Sequence, residues 1–230
     1  HLEGDALVAA LDGCVGVVAG DDRFSADVLR RCPELRAISK WGIGVDGIDQ
    51  EATAARGIAV TNTPGMFDGE VADVSMAYLT SLARGLHHID RGVRAGGWPK
   101  PAGRSLGGAT LGIVGLGGIG RALATRAAAA EMIVSGSDPS EDSRALAGGL
   151  GVTIREFDDL LAECEFISVN CPLNASTHHL FDDRAFGLMR DGSWLVNTGR
   201  GAVVETAALV RALESGKVAG AALDVMEDEP

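Results

Sequence analysis

Two groups of residues in this chain have types and spacings that could do chemistry. The first is Gly115-Leu116-Gly117-Gly118-Ile119-Gly120, a G-x-G-x-x-G run between a β-rich apolar stretch and an alanine-rich stretch of helical character. In that context Gly115 permits a tight turn. Gly117 lets backbone approach a pyrophosphate, and Gly120 lets the following helix pack close to its strand. The helix start would point backbone N–H groups and partial positive charge at the phosphates. Asp138 lies 18 residues beyond Gly120, at the end of the next strand-like run. That is close to the spacing of about 20 expected for a carboxylate gripping ribose hydroxyls. A carboxylate there repels a 2′-phosphate, and no arginine follows before Arg144, so NAD is expected rather than NADP. Taken alone, the glycines could be a structural turn and Asp138 a helix cap. The complete strand–loop–helix–strand–acid series favours the dinucleotide.

The second group surrounds Arg200, which lies between Gly199 and Gly201 just after the apolar run Ser193 to Thr198. The carboxyl ends of strands are where α/β sheets bind ligands. A guanidinium there offers a planar fork of donors that matches an anionic, oxygen-rich molecule. By itself Arg200 could equally be a loop arginine facing water.

Elements that would position these groups are legible as alternating patterns. Val15 to Gly20, Leu35 to Trp41 and Ile58 to Thr63 read as strands. Between them, Ser25 and Asp49 stand where caps of short helices belong, and Gly57 ends the second helix. Glu70 to Arg94 reads as one long helix whose stripe is Val71, Val74, Tyr78, Leu79, Leu82, Leu86 and Ile89. Gly96 to Gly108 holds five glycines and two prolines, which places a domain boundary near residue 100. Strands are then expected at Leu111–Val114, Met132–Ser137, Val152–Arg155, Phe166–Cys171, Ser193–Thr198 and Gly220–Met226. Helices are expected at Ile119–Ala130, near Asp142–Ala147, at Phe157–Cys164 and at Thr206–Ser215. Such β-α alternation argues for parallel sheets covered by helices, an α/β class.

Composition narrows the partners. The 230 residues are 46% hydrophobic, with 32 glycines and only 4% aromatics, which suits tight strand-to-helix turns rather than an aromatic-rich β-sandwich. A formal charge of −12 disfavours nucleic acid, whose phosphates it repels. Cys14, Cys32, Cys164 and Cys171 show no CxxC spacing, so neither a metal site nor a disulfide framework is expected and a reducing, cytoplasmic setting is. No apolar run approaches the roughly 20 residues of a membrane span, and no signal peptide is visible.

Further segments carry a resemblance: Lys40-Trp41-Gly42-Ile43-Gly44-Val45-Asp46, Asn62-Thr63-Pro64-Gly65, Val71-Ala72-Asp73, Asn197-Thr198-Gly199-Arg200-Gly201, Ala222-Leu223-Asp224-Val225 and Glu229-Pro230. In this order, from about Leu35 to the chain end, they resemble the D-isomer specific 2-hydroxyacid dehydrogenase family, especially its phosphoglycerate-dehydrogenase-like branch. The resemblance implies a flavodoxin-like substrate domain (residues 1–99, with the long helix) followed by a Rossmann NAD-binding domain (residues 100–230), with the active site in the cleft between them. It also implies a homodimer built through residues 70–98. The implied reaction is hydride transfer between NAD and C2 of a small 2-hydroxy or 2-oxo acid, 3-phosphoglycerate being one candidate. Arg200 would hold the substrate carboxylate and C2 oxygen. Glu229, 29 residues later, would pair with the proton-donating histidine and raise its pKa. The loop Gly42, Ile43, Gly44 and Val45 would offer N–H groups to a carboxylate. Lys40 stands where some relatives bind a phosphate, although a solvated lysine is an equal reading. Gly118 and Ile119 would contact the pyrophosphate, Cys171 and Pro172 the adenine and its ribose, and Thr177 the phosphate side. Thr198 and Asp224 would face the nicotinamide, with Asp224 accepting from its carboxamide.

Three departures qualify the resemblance. None of His1, His87, His88, His178 or His179 stands at the family's histidine position, which lies past the Glu-Pro step. Both chain ends therefore read as incomplete, and NAD binding without turnover is expected of these 230 residues alone. Asp73 replaces a glutamate, and Gly47 replaces an asparagine. Two alternatives share the fingerprint: an NAD(H)-sensing, corepressor-like module without turnover, and a formate- or phosphite-type dehydrogenase.

Overall fold

The β-branched and alanine-rich runs alternate in the computed structural model much as their periodicities predict; it describes residues 1–229. Helix α1 (Gly4–Ala10) precedes β1 (Gly16–Ala19), α2 (Ala26–Arg31), β2 (Ala37–Lys40), α3 (Gln50–Ala55) and β3 (Ala59–Thr61). Two helices follow, α4 (Asp68–Arg84) and α5 (Leu86–Arg94). The rest of the chain runs β4 (Thr110–Val114), α6 (Gly118–Ala129), β5 (Ile133–Ser137), α7 (Glu141–Gly148), β6 (Thr153–Ile154), α8 (Phe157–Glu163), β7 (Phe166–Val169), α9 (Asp183–Leu188), β8 (Ser193–Asn197), α10 (Thr206–Glu214) and β9 (Val218–Leu223). The chain divides into two units, His1–Phe67 and a second beginning at Asp68.

In the first unit, β1, β2 and β3 form a parallel sheet in that order. It is only part of the flavodoxin-like sheet that the resemblance implies. Phe24, Leu29, Leu35 and Ile38 are fully buried in its core. Ser25 and Asp49 cap as expected: the Ser25 hydroxyl accepts from Val28 N (3.4 Å) and the Asp49 carboxylate from Ala52 N (2.8 Å).

The second unit holds six parallel strands in the order β6-β5-β4-β7-β8-β9. The first strand of the unit is thus central, and the chain winds outward in one direction and then the other. This is the doubly wound dinucleotide-binding topology, with its switch point between β4 and β7. Each face of the sheet has its own core. Leu79, Leu111, Ile113, Leu123 and Ala127 lie in one. Leu160, Ile167, Phe181, Leu195 and Leu209 lie in the other. Burial on both faces explains why β7 is apolar or small throughout, with all four residues buried.

Three expectations are corrected. The single helix Glu70–Arg94 is two, α4 and α5, broken at Gly85. That residue adopts φ +63°, a left-handed conformation that costs other residues about 1–2 kcal/mol. The compact units part at Phe67/Asp68 rather than near residue 100. The cause is α4, whose buried face Ala72, Ser75, Leu79 and Ala83 packs against α6, with Asp73 paired to Arg126 at 2.6 Å. The last strand begins at Val218 and ends at Leu223, so Asp224 lies just past it. Helices α1 and α9, of seven and six residues, are too short for periodicity to show.

The G-x-G-x-x-G glycines separate cleanly on packing. A β-carbon on Gly120 would sit 2.0 Å from the Gly115 carbonyl oxygen, whereas one on Gly117 meets nothing within 4 Å. Gly120→Ala is therefore expected to lose about 1–3 kcal/mol of stability, the usual cost of overpacking, with Gly117→Ala unchanged. Urea unfolding of the two variants checks this, and equal midpoints would refute it.

Candidate active site

The turn after β4 is pressed against the end of β7. Gly115 has φ +96°, and a β-carbon on it would fall 2.6 Å from Cys171 N. Its own N–H donates to Ser137 O at the end of β5 (2.9 Å). Asp138 is fastened beside this turn, as its Oδ2 accepts from Leu116 N (2.7 Å) and its Oδ1 from Ser140 N (2.8 Å). The sequence spacing set Arg144 well away from that acid. Helix α7 instead folds back, so that Arg144 Nη1 donates to the Asp138 carbonyl (3.3 Å).

Gly117 is exposed, with open space above it, at the N-terminus of the 12-residue α6. Ile119 and Gly120 follow within its first turn. An exposed turn without a β-carbon, a helix start and a fixed carboxylate at the neighbouring strand end fit the pyrophosphate and ribose of a dinucleotide. Gly118 has a close neighbour: a β-carbon there would fall 1.8 Å from Asp68 Oδ2. The first residue of α4 thus sets an acidic side chain beside the phosphate-facing turn.

Cys171 is 8% exposed, and burial pushes its thiol up to about 11. It is a wall residue rather than a nucleophile. Pro172 is exposed. The Thr177 hydroxyl donates to Pro172 O (2.7 Å) and accepts from Asn174 N (2.8 Å), so it closes the 172–177 turn rather than standing free for a phosphate.

Arg200 follows β8 in a loop tied down by Asn197. Asn197 is 1% exposed; its Oδ1 accepts from Gly199 N (3.0 Å) and its Nδ2 donates to Arg200 O (3.0 Å). Arg200 is half-buried, and its Nη1 donates to Gly199 O (2.8 Å). Gly201 opens a short 3-10 turn to Val203. A β-carbon on Gly201 would fall 1.8 Å from Met226 O, so the loop after β8 is pressed against the loop after β9.

Thr198, expected to face the nicotinamide, is 7% exposed and lies in a polar chain. Its Oγ1 lies 2.9 Å from Ser75 Oγ and accepts from Asn170 Nδ2 (3.0 Å). Ser75 donates to Val71 O (2.9 Å), and Ser168 to Asn170 Oδ1 (2.9 Å). One direction satisfies every donor: Asn170 to Thr198, Thr198 to Ser75, Ser75 to Val71.

Asp224, expected inside an apolar strand, is exposed beyond β9. Its N–H donates to Asn197 O (2.9 Å) and its Oδ1 accepts from the Tyr78 hydroxyl (3.0 Å). Glu229 is exposed, with Oε1 accepting from Met226 N (3.3 Å). Pro230, the other half of that motif, lies outside the described residues. The acidic run is not merely solvated, because Glu227 accepts from Thr206 N (3.0 Å) and bonds His179. The Thr206 N–H first, and His179 second, hold its carboxyl down at about 2.

In the first unit, Lys40 is 9% exposed and its ammonium bonds Gly20 O and the Asp21 carboxylate (2.8 Å). It is therefore not a solvated lysine, and its charge already faces an acid. Gly42 N donates to Thr63 Oγ1 (3.1 Å), and Ile43 O accepts from Asn62 Nδ2 (2.7 Å). This fixes the loop and leaves Ile43, Gly44 and Val45 as its further N–H groups.

Residues 76–230 match the model of the D-isomer specific 2-hydroxyacid dehydrogenase NAD-binding domain. The chain belongs to this family. Its second unit is the family's NAD-binding domain, and the match begins within α4, ahead of the boundary expected from the sequence. Glyoxylate reductase of Thermococcus litoralis is 39% identical over 97% of this chain and 69% of its own length. D-3-phosphoglycerate dehydrogenase of Rattus norvegicus is 37% identical over 100% of this chain but 44% of its own. Among solved structures, D-lactate dehydrogenase of Aquifex aeolicus, complexed with NAD and lactic acid, is 32% identical, with a TM-score of 0.87 over 96% of this chain and 67% of that one. Among the described residues, no helix is long and apolar enough to cross a membrane.

Sequence reasoning gave Asn197, Asn170, Ser75 and Asp68 no role. An Asn or Thr at a strand end signals a local turn, which could have found Asn197. The same signal marks Asn170, just past the end of β7; nothing local marks Ser75 or Asp68, whose neighbours Thr198 and Gly118 lie far away in the chain.

Two outcomes are expected. Asp138→Ser should weaken NADH binding about 10-fold, the scale of a charged hydrogen bond, and improve NADPH binding, because Arg144 stands ready for a 2′-phosphate. Unchanged NADH and NADPH dissociation constants would count against this reading. For Glu227, a folded value near 2 below the ordinary 4.5 means stability that is full above about pH 4.5 and lost as pH falls towards 2. Glu227→Gln should therefore lower stability at pH 7 by about 1–3 kcal/mol, with the gap to wild type closing in acid. A gap independent of pH would contradict it.

Proposed function

We propose that the protein catalyses reversible hydride transfer between NAD(H) and C2 of a small D-2-hydroxy acid or its 2-oxo form. The observation that carries this reading is the Gly199-Arg200-Gly201 loop. It is tied by Asn197 at the carboxyl end of β8, in the sheet whose β4 turn fits the dinucleotide. Bound NADH supplies the hydride; the chain supplies orientation and charge. Arg200 grips the substrate carboxylate and stabilises the negative charge that grows on the C2 oxygen. Asn197 fixes the loop's backbone, so that the guanidinium loses little freedom on binding. Glu229 stands where the family's carboxylate pairs with and orients a proton-donating histidine. Asp138 holds the ribose hydroxyls.

We favour an unphosphorylated acid over 3-phosphoglycerate. The Lys40 ammonium, the basic group nearest the expected substrate loop in sequence, is committed to Gly20 and Asp21. The similarity to a glyoxylate reductase supports the same choice. We also propose a cytoplasmic homodimer built on residues 70–98, where Leu86, Val93 and Trp98 are 46%, 44% and 77% exposed. A monomer in sedimentation of the full-length protein would overturn that assembly.

The reaction is tested with NADH and a panel of glyoxylate, pyruvate and phosphorylated 2-oxo acids, using the full-length protein. Glyoxylate or pyruvate should be reduced faster than the phosphorylated acids. Arg200→Lys should lower kcat/KM about 100-fold, as expected for a lost charge-stabilising fork, while leaving NADH affinity within about twofold. An undiminished rate in that variant would remove Arg200 from the chemistry.

A further inference from the structure

We propose that Tyr78 is a positioning residue for the nicotinamide end of the cofactor: its hydroxyl holds the Asp224 carboxylate in a single orientation. The inference rests on the proposed reading of Asp224 as the acceptor for the carboxamide. It extends that reading to a residue which sequence patterning assigns to the apolar stripe of α4.

Tyr78 is the only tyrosine in the chain. Its body packs, partly buried, on the core shared by α4, β4 and α6. Its Oη reaches out of that core to Asp224 Oδ1 at 3.0 Å, across 146 residues of sequence. An apolar stripe needs only the ring, so the hydroxyl is the feature left to explain. Asp224 is held from two sides. Its backbone N–H donates to Asn197 O (2.9 Å), in the residue that also ties the Arg200 loop. Its side chain, exposed beyond β9, has Tyr78 as its recorded hydrogen-bond donor.

An exposed aspartate ordinarily samples several rotamers, and fixing one on binding costs affinity. With Oδ1 taken by the phenol, the carboxylate is ordered beforehand and Oδ2 is left to accept from a carboxamide N–H. The phenol remains a donor at neutral pH: burial raises its pKa, and the Asp224 carboxylate raises it further. The arrangement thus joins three elements at one residue: α4 through Tyr78 at the carboxylate, β8 through Asn197 at the backbone N–H, and the end of β9 through Asp224 itself.

The test separates the two ends of the cofactor. Dissociation constants of NADH and of ADP-ribose, which lacks the nicotinamide, are measured by calorimetry on the full-length wild type, Tyr78→Phe, Asp224→Asn and the double variant. Tyr78→Phe keeps the ring. It is expected to weaken NADH about 3- to 10-fold, the scale of one hydrogen bond, with ADP-ribose changed less than about twofold. Asp224→Asn should weaken NADH at least as much, and the double variant no further. In cofactor-free protein, alkaline titration of the single tyrosine by ultraviolet absorbance should give a lower midpoint in Asp224→Asn than in wild type. If Asp224→Asn weakens NADH and ADP-ribose equally, the reading of Asp224 fails and takes this proposal with it. If Asp224→Asn discriminates between them but Tyr78→Phe does not, Asp224 keeps its role and Tyr78 is a packing residue only.

Discussion

The second unit depends on backbone meeting backbone where no β-carbon fits. At the switch point, the Gly115 turn lies against the start of the loop after β7. At the next junction Gly199 lies against the carbonyl of Cys171, and at the one beyond it Gly201 lies against the carbonyl of Met226. These contacts close the carboxyl edge of the sheet into one continuous rim of loops. Each loop that carries a functional group is braced by its neighbour: the cofactor turn by Cys171, and the Arg200 loop by the segment leading to Glu227 and Glu229. A side chain at any of these glycines would push a loop outward by the width of a methyl group, which is the scale on which hydride transfer is sensitive to placement.

Electrostatics at this rim run against the charge of the whole chain. In a protein with net charge −12, the proposed binding of a dinucleotide pyrophosphate and an acid rests on local devices. The start of α6 presents N–H groups, and Arg200 presents a guanidinium. The acids nearby are spoken for: Asp138 by Leu116 and Ser140, Glu227 by Thr206 and His179, and Asp224 by Tyr78. Asp68 is the exception in kind, since its carboxylate lies beside Gly118 at the phosphate-facing turn. A like charge there weakens anion binding, and salt screens that repulsion.

Most of the second sheet was legible because its inner strands β4, β7 and β8 are buried on both faces, so period and burial agree. The cofactor turn was legible for a related reason: glycines needed for close approach leave a fixed spacing in the sequence. What escaped was set by distant partners. Gly85 breaks the long helix, yet a lone glycine in a helical pattern is usually tolerated, and the stripe continues through it from Leu82 to Leu86. The unit boundary moved because Ala72, Ser75 and Ala83 are small enough to let α4 sit on α6, and small residues read as weakly apolar rather than as an interface. In the sequence Lys40 fits a phosphate ligand and a solvated lysine equally, because its partner Asp21 lies 19 residues earlier.

The polar chain from Asn170 to Val71 shows why α4 belongs with the cofactor domain chemically as well as by contact. Thr198 and Ser75 each accept once and donate once, so removing either leaves a neighbour's polar atom unpaired, and a buried unpaired polar atom costs about 1–3 kcal/mol. Thr198 therefore has one satisfied position relative to α4, and Arg200 follows two residues later. Tyr78, one helical turn beyond Ser75 on the same helix, reaches Asp224 on the other side of Asn197. Helix α4 thus touches the loop of the guanidinium at one level and the carboxylate after β9 at the next. A shift of this helix along α6 would disturb both together, which couples the Arg200 loop to the Asp224 carboxylate through a single element.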